Sequence, residues 1–159
     1  MRKYKKLLVY ISIAIAVCIA PVIYFLCFPS CNQLNRRSLY KNIKDLRHHQ
    51  EIKLEDIADF DWTYMYIFEP FTDKEVIFDT IGFESNLIKT TVEKDNLQLV
   101  FVNDKQEVTC YINDKISNIG FHFDFNRYKI CKKFSREGND TFVVNKDDDM
   151  IHLNYSKNM

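Results

Sequence analysis

Residues 60–68 read Phe60-Asp61-Trp62-Thr63-Tyr64-Met65-Tyr66-Ile67-Phe68, and this stretch decides the fold. Strand alternation puts Phe60, Trp62, Tyr64, Tyr66 and Phe68 on one face and Thr63, Met65 and Ile67 on the other, and both faces are apolar at the middle. A strand that is apolar on both sides belongs inside a sheet and not at its edge, because each face must be covered. The aromatic row has two readings: the filling of a core, the usual role of large aromatics, or the lining of a ligand groove or partner site.

Moving outward, Glu69-Pro70-Phe71-Thr72-Asp73-Lys74-Glu75 reads as a helix start. Thr72 is placed to accept from first-turn amides while Glu75 reaches back, the reciprocal pairing of a capping box. Val76, Ile77, Phe78 and Ile81 form the apolar face, and Gly82 ends the helix because it can take a left-handed conformation. Leu97 to Val102 and Glu107 to Ile112 then form a hairpin through the polar turn Asn103-Asp104-Lys105-Gln106. Strands are expected at Ile119 to Phe125, Arg127 to Phe134, Thr141 to Val144 and Met150 to Leu153. Consecutive strands with short turns pair antiparallel, so the expected domain is α+β, with one or two helices packed on a mainly antiparallel sheet.

Upstream, Asn35 to Gln50 has Leu39, Ile43 and Leu46 at helical spacing, with Arg36, Arg37, Lys41, Lys44 and Arg47 on the remainder. That basic face reads either as an ordinary solvated surface or as a stalk touching anionic lipid headgroups. His48 and His49 are expected to end the helix, where cations suit the carbonyl end.

The N-terminus has a different character. Arg2, Lys3, Lys5 and Lys6 run into an uncharged apolar stretch from Leu7 to Phe28. A spanning helix needs ~20 apolar residues, whereas a cleavable signal has an apolar region of ~7–15, so residues 1–30 read as an N-terminal transmembrane helix acting as a single-pass signal anchor. Pro21 would kink it at most. The basic cluster faces the cytoplasm, which places residues 31–159 outside it as a single α+β domain of a cell-membrane protein. Two alternatives stay open: cleavage after Ala14-Ile15-Ala16, and a lipoprotein-like reading in which Phe28-Pro29-Ser30-Cys31 marks Cys31 for lipidation.

Composition excludes several functions. Four of the 22 Lys and Arg precede Ser30 and all 22 Asp and Glu follow it, which leaves 18 against 22, a net −4 beyond Ser30. That is no nucleic-acid footprint. Gly82, Gly120 and Gly138 are the only glycines, so there is no phosphate-cradling loop. Cys18 and Cys27 fall in the apolar stretch, and Cys110 and Cys131 lie in the outer part. In an oxidising compartment Cys110 and Cys131 can form a disulfide worth ~3 kcal/mol; the alternative is two partly buried free thiols.

No catalytic pattern stands out. Cys110 or Cys131 with His122 or His152 as base would be a thiol enzyme, but nothing in the spacing favours it. His122 and Asp124 share the face opposite Phe121 and Phe123, with Asn126 continuing it. They form the alternative polar site, read either as metal ligands or as a solvated strand face, and they lack a zinc pattern. Asp147-Asp148-Asp149 lacks the glycine and terminal glutamate of a calcium loop and reads as an acidic turn. Glu55, Asp56, Asp59 and Asp61 read as turn and helix-end residues. Asn139-Asp140-Thr141 and Asn154-Tyr155-Ser156 match the glycosylation acceptor, which has meaning only in a eukaryotic source.

Two resemblances follow from these residues. Trp62 to Phe71, Thr72 to Gly82, Leu99-Val100-Phe101-Val102 and Val108-Thr109-Cys110-Tyr111 together resemble small membrane-anchored or lipoprotein-like bacterial extracytoplasmic proteins. The order Thr72-x-x-Glu75-Val76, Ile81-Gly82, then Leu99-x-Phe101 and Val108 is similar to the helix-then-hairpin core of the SmpA/OmlA outer-membrane assembly lipoproteins, a resemblance that implies a binding scaffold without catalysis. The expected function is therefore a membrane-tethered, extracytoplasmic protein-binding or assembly module with a protein partner, no cofactor and no catalysis, an immunity or inhibitor protein being its specialised form. A small cell-envelope hydrolase or thiol enzyme is the alternative.

Overall fold

The computed structural model describes residue 15 and residues 17–19, 30–90, 93–125 and 130–156. The chain divides into two units, Met1–Ser30 and Cys31–Met159. Of the first unit, Ile15 and residues 17–19 are helical. Among the described residues no helix is long and apolar enough to cross a membrane. This corrects the expected architecture: the N-terminal transmembrane helix is not an element of the described fold, and most of Leu7 to Phe28 lies outside the described residues.

The second unit is α+β, but it carries two sheets where the sequence led us to expect one. Its elements run α1 (Cys31–Asp45), β1 (Glu51–Lys53), α2 (Leu54–Ile57), β2 (Tyr64–Phe68), α3 (Lys74–Ile81), β3 (Asn96–Val102), β4 (Val108–Lys115), α4 (Ile116–Ile119), β5 (Phe121–Asp124), β6 (Cys131–Ser135), β7 (Thr141–Lys146) and β8 (Ile151–Tyr155). One sheet has the order β4-β3-β2-β6 and the other β1-β7-β8-β5. The first is antiparallel throughout, with Met65 opposite Phe101 and Phe134. In the second, β5 and β8 are parallel, with His122 opposite His152. Nearest-neighbour pairing fails here because β6 leaves its sequence neighbours to join β2, so β5 pairs directly with β8 although β6 and β7 lie between them in sequence.

The two sheets share one core. Met65, Leu99, Phe101, Cys110 and Ile112 from the first sheet meet Phe121, Phe142, Val144 and Leu153 from the second, with Leu39 and Ile43 of α1 among them. Phe134 of β6 packs on Phe142 and Tyr155 with ring centroids 5.5 and 5.6 Å away. The far face of the first sheet has its own apolar layer, in which Tyr66, Phe68, Val100, Val102 and Tyr111 pack with Ile77 of α3 and Ile88. The β2–β3 region therefore has both faces covered, as its unbroken apolar pattern requires.

The aromatic row splits between these layers. Regular pairing begins at Tyr64, so Trp62 precedes the strand and turns to the same side as Met65. Its Nε1 donates to Ala58 O at 3.2 Å, and it meets Phe101 edge-on at 5.5 Å. Tyr64, Tyr66 and Phe68 line the other face, where Lys133 Nζ sits 3.7 Å from the centre of the Tyr64 ring.

Other local expectations are corrected in detail. The first helix begins at Cys31 and ends at Asp45, so Leu39 and Ile43 are buried within it and Leu46 just beyond it. His48 and His49 lie in the following turn, where Lys146 N donates to His48 Nδ1 at 2.9 Å. Asn32 Oδ1 accepts from Tyr111 N and Asn35 Nδ2 donates to Thr109 O, so the start of α1 covers the outer edge of β4. The capping box at Thr72 does not form: Thr72 Oγ1 donates to Glu69 O at 2.7 Å, and Asp73 precedes α3. Gly82 does end that helix, at φ 89°. Gly120, at φ 75°, makes the turn from α4 into β5.

Candidate functional site

The second sheet has one apolar face and one polar face. In β5 the buried residues are Phe121 and Phe123, and in β8 Leu153 and Tyr155, while His122, Asp124, His152 and Asn154 point the other way. Parallel pairing in register then brings the polar sets together. His122 Nε2 lies 2.8 Å from Asp124 Oδ1, and His152 Nδ1 lies 3.2 Å from Asp124 Oδ2. The two imidazoles meet edge-on with centroids 4.5 Å apart. His152 Nε2 is 3.1 Å from Asp147 Oδ2, which reaches in from the β7–β8 turn. That turn is closed by Asp147 N donating to Met150 O at 2.9 Å.

This cluster is half-sheltered. The histidine side chains are 24% and 27% exposed, Asp124 is 42% exposed and Asp147 74%. His122 Nδ1 is buried without a partner among the described residues, so Nε2 is the nitrogen that faces the cluster. One ligand atom from each of His122, Asp124 and His152 lies within 4.8 Å of the others, the one such grouping of three among the described residues. Chemically the arrangement offers two imidazole nitrogens and a carboxylate to a cation, or a hydrogen-bonded acid–base pair to a polar ligand. An open groove of about 810 Å³ adjoins it through Asp147, with Tyr40, Lys41, Lys44 and Phe121 on its walls.

The other candidates are not brought together. Cys110 and Cys131 are free thiols, the second of the two readings open in the sequence. They stand on β4 and β6, the two outer strands of one sheet with β3 and β2 between. Three strand spacings amount to roughly 14 Å, against a Cα separation of ~5.5 Å in a disulfide. They also face opposite layers, Cys110 the shared core and Cys131 the α3 side. Burial pushes the Cys110 thiol from its ordinary 9.0 up to about 12, and burial also raises that of Cys131. Neither has the lowered pKa of a nucleophile.

Cys31, the lipidation candidate, is exposed at the start of α1 and accepts from Asn35 Nδ2 at 3.6 Å. Asn126, which continued the polar face in sequence, lies outside the described residues. The carboxylates before β2 do local work: Asp56 Oδ2 accepts from Lys53 N, Asp59 Oδ1 from Ser38 Oγ and Asp61 Oδ2 from Asn103 Nδ2. Sequence reasoning paired His122 with Asp124 but did not bring in His152 or Asp147. The signal was present in the alternation of β8, where His152 and Asn154 repeat the polar pattern of His122 and Asp124.

No family model, curated protein or solved structure matches the chain.

Proposed function

We propose that the chain is a membrane-tethered protein-binding or assembly module that works outside the cytoplasm without catalysis, an immunity or inhibitor protein being its specialised form. The observation that carries this reading is apolar surface left in water at one end of the first sheet. Glu69 N donates to Ile130 O at 3.0 Å, which continues the β2–β6 pairing past Phe68 and Cys131. Ile130 is 50% exposed there, and Phe71, two residues beyond Glu69, is 51% exposed. Phe71 also holds φ 66°, a left-handed backbone that costs a bulky residue of order 1–3 kcal/mol. Two large apolar side chains kept in water at this end of the sheet, one of them on strained backbone, support reading it as a contact surface. The thiol-enzyme alternative is weakened by Cys110, whose sulfur is buried in the core and held protonated.

The test is a photoreactive residue placed at position 71 or 130 of the full chain in intact cells. A single discrete adduct from both positions, absent when the probe replaces exposed Lys105, is the expected result. Equal labelling from all three positions, or none from 71 and 130, contradicts the reading. A reporter active only outside the cytoplasm, fused after Met159, tests the location, and activity only from a cytoplasmic reporter overturns it.

A further inference from the structure

We propose that His122, Asp124 and His152 bind a divalent transition-metal ion of the zinc type, with Asp147 as the residue that orients His152. The proposal goes beyond protein binding and does not depend on it.

Donor counting in the cluster is the first argument. A neutral imidazole has one N–H and one lone pair. His152 nevertheless has a carboxylate oxygen at each nitrogen, Asp124 at 3.2 Å from Nδ1 and Asp147 at 3.1 Å from Nε2. In a neutral ring one N–H cannot serve both, so either a second ring proton or a cation satisfies the pair of carboxylates. A cation between Nδ1 and Asp124 takes the Nδ1 lone pair and the carboxylate together and leaves Nε2 to face Asp147. A ligating histidine whose other nitrogen is held by a carboxylate is the arrangement that fixes ring orientation and raises ligand basicity at metal centres.

Geometry is the second argument. Around a tetrahedral ion with bonds of ~2.0–2.1 Å, ligand atoms stand about 3.3 Å apart. His122 Nε2 and His152 Nδ1 lie 2.8 and 3.2 Å from the two oxygens of Asp124, and all three ligand atoms fall within 4.8 Å. Entry of an ion therefore needs shifts of a few tenths of an ångström to about one ångström, within the reach of side-chain rotation. His122 and His152 are register partners on adjacent parallel strands and Asp124 is two residues along the same face, so the donors stand on sheet backbone and not on mobile loops. Two imidazoles with one carboxylate select a borderline ion such as Zn²⁺, Co²⁺ or Fe²⁺ over Ca²⁺ or Mg²⁺, which prefer all-oxygen sites. Three protein ligands leave a coordination position for water.

The experiment is titration of the untagged full chain with Co²⁺ and Zn²⁺, following cobalt absorption and metal-dependent thermal stabilisation. One ion per chain should bind, with a tetrahedral cobalt spectrum that lacks the thiolate charge-transfer band, and the zinc-dependent rise in Tm should vanish in His122→Ala/His152→Ala. Circular dichroism of the metal-free double variant checks that it folds. Asp147→Asn alters a largely exposed side chain, so it preserves the fold, and it should weaken binding ~10-fold or more. Absence of stoichiometric binding, a thiolate-to-cobalt band, or affinity unchanged in the double variant would each overturn the proposal. Affinity unchanged in Asp147→Asn would overturn the orienting role.

Discussion

The two sheets of this domain are built from different kinds of strand. In β2 and β3 every residue after the first is buried, and the side chains divide between the shared core and the layer under α3. In β5, β7 and β8 buried residues alternate with partly exposed ones, and the outward set carries His122, Asp124 and His152. A strand covered on both faces has no side chains free for chemistry. A strand covered on one face has half of them free, and when two such strands pair in parallel those halves align. The comparison teaches that the doubly covered core strands and the His122–Asp124–His152 cluster stand on different sheets, while the proposed contact surface lies at the end of the first sheet where that cover runs out.

The largest effect should come from breaking the first sheet. Phe101 is fully buried and meets both Phe60 and Trp62 edge-on, at 5.1 and 5.5 Å. Phe101→Ala or Trp62→Ala should cost ~3–5 kcal/mol in urea unfolding, a large share of the ~5–15 kcal/mol that holds a typical domain together. A Trp62→Ala protein that keeps the midpoint and loses partner binding would show that the aromatic row is a recognition surface and not a core element.

A smaller loss is expected at Cys110. Cys110→Ser places a hydroxyl in an apolar site, at a cost of ~1–3 kcal/mol. The same residue links stability to pH. Its thiol ordinarily titrates near 9.0 but is held up to about 12 in the fold, so above pH 9.0 the unfolded chain sheds a proton that the folded chain keeps. The contribution is complete below that value and is lost as pH rises through the window up to about 12. Wild type and Cys110→Ala, compared across it by urea midpoint, should diverge on the acid side and converge on the alkaline side; parallel curves would refute the assignment.

Phe71 offers a gain. Phe71→Gly relieves the left-handed backbone and removes an exposed ring, so stability should rise by ~1 kcal/mol while crosslinking at position 130 falls. Loss of stability on this substitution would mean that the Phe71 ring is part of the packing.

The elements themselves were largely legible in the sequence. Gly82, the Asn103–Gln106 turn and the apolar stripe of Leu39, Ile43 and Leu46 are local signals, and local energetics decide them. What sequence could not supply was partnership between strands. Cys131 to Ser135 looks like a neighbour of Phe121 to Asp124, yet β6 pairs with β2, and no local pattern distinguishes those choices. The missing pairing hid both the second sheet and the half of the candidate site that comes from His152 and Asp147. Strict alternation from Phe60 to Phe68 fails for a related reason: the ladder starts at Tyr64, and Trp62, ahead of it, falls to the opposite layer.

The separation of structural load from the candidate metal cluster is tested most directly by urea unfolding of metal-free His122→Ala/His152→Ala beside Phe101→Ala. The double variant should stay within ~1 kcal/mol of wild type, as substitutions on a polar outer face do, while Phe101→Ala loses several. A loss in the double variant equal to that of Phe101→Ala would mean that the outer face of the second sheet is part of the structural core, and the separation would not stand.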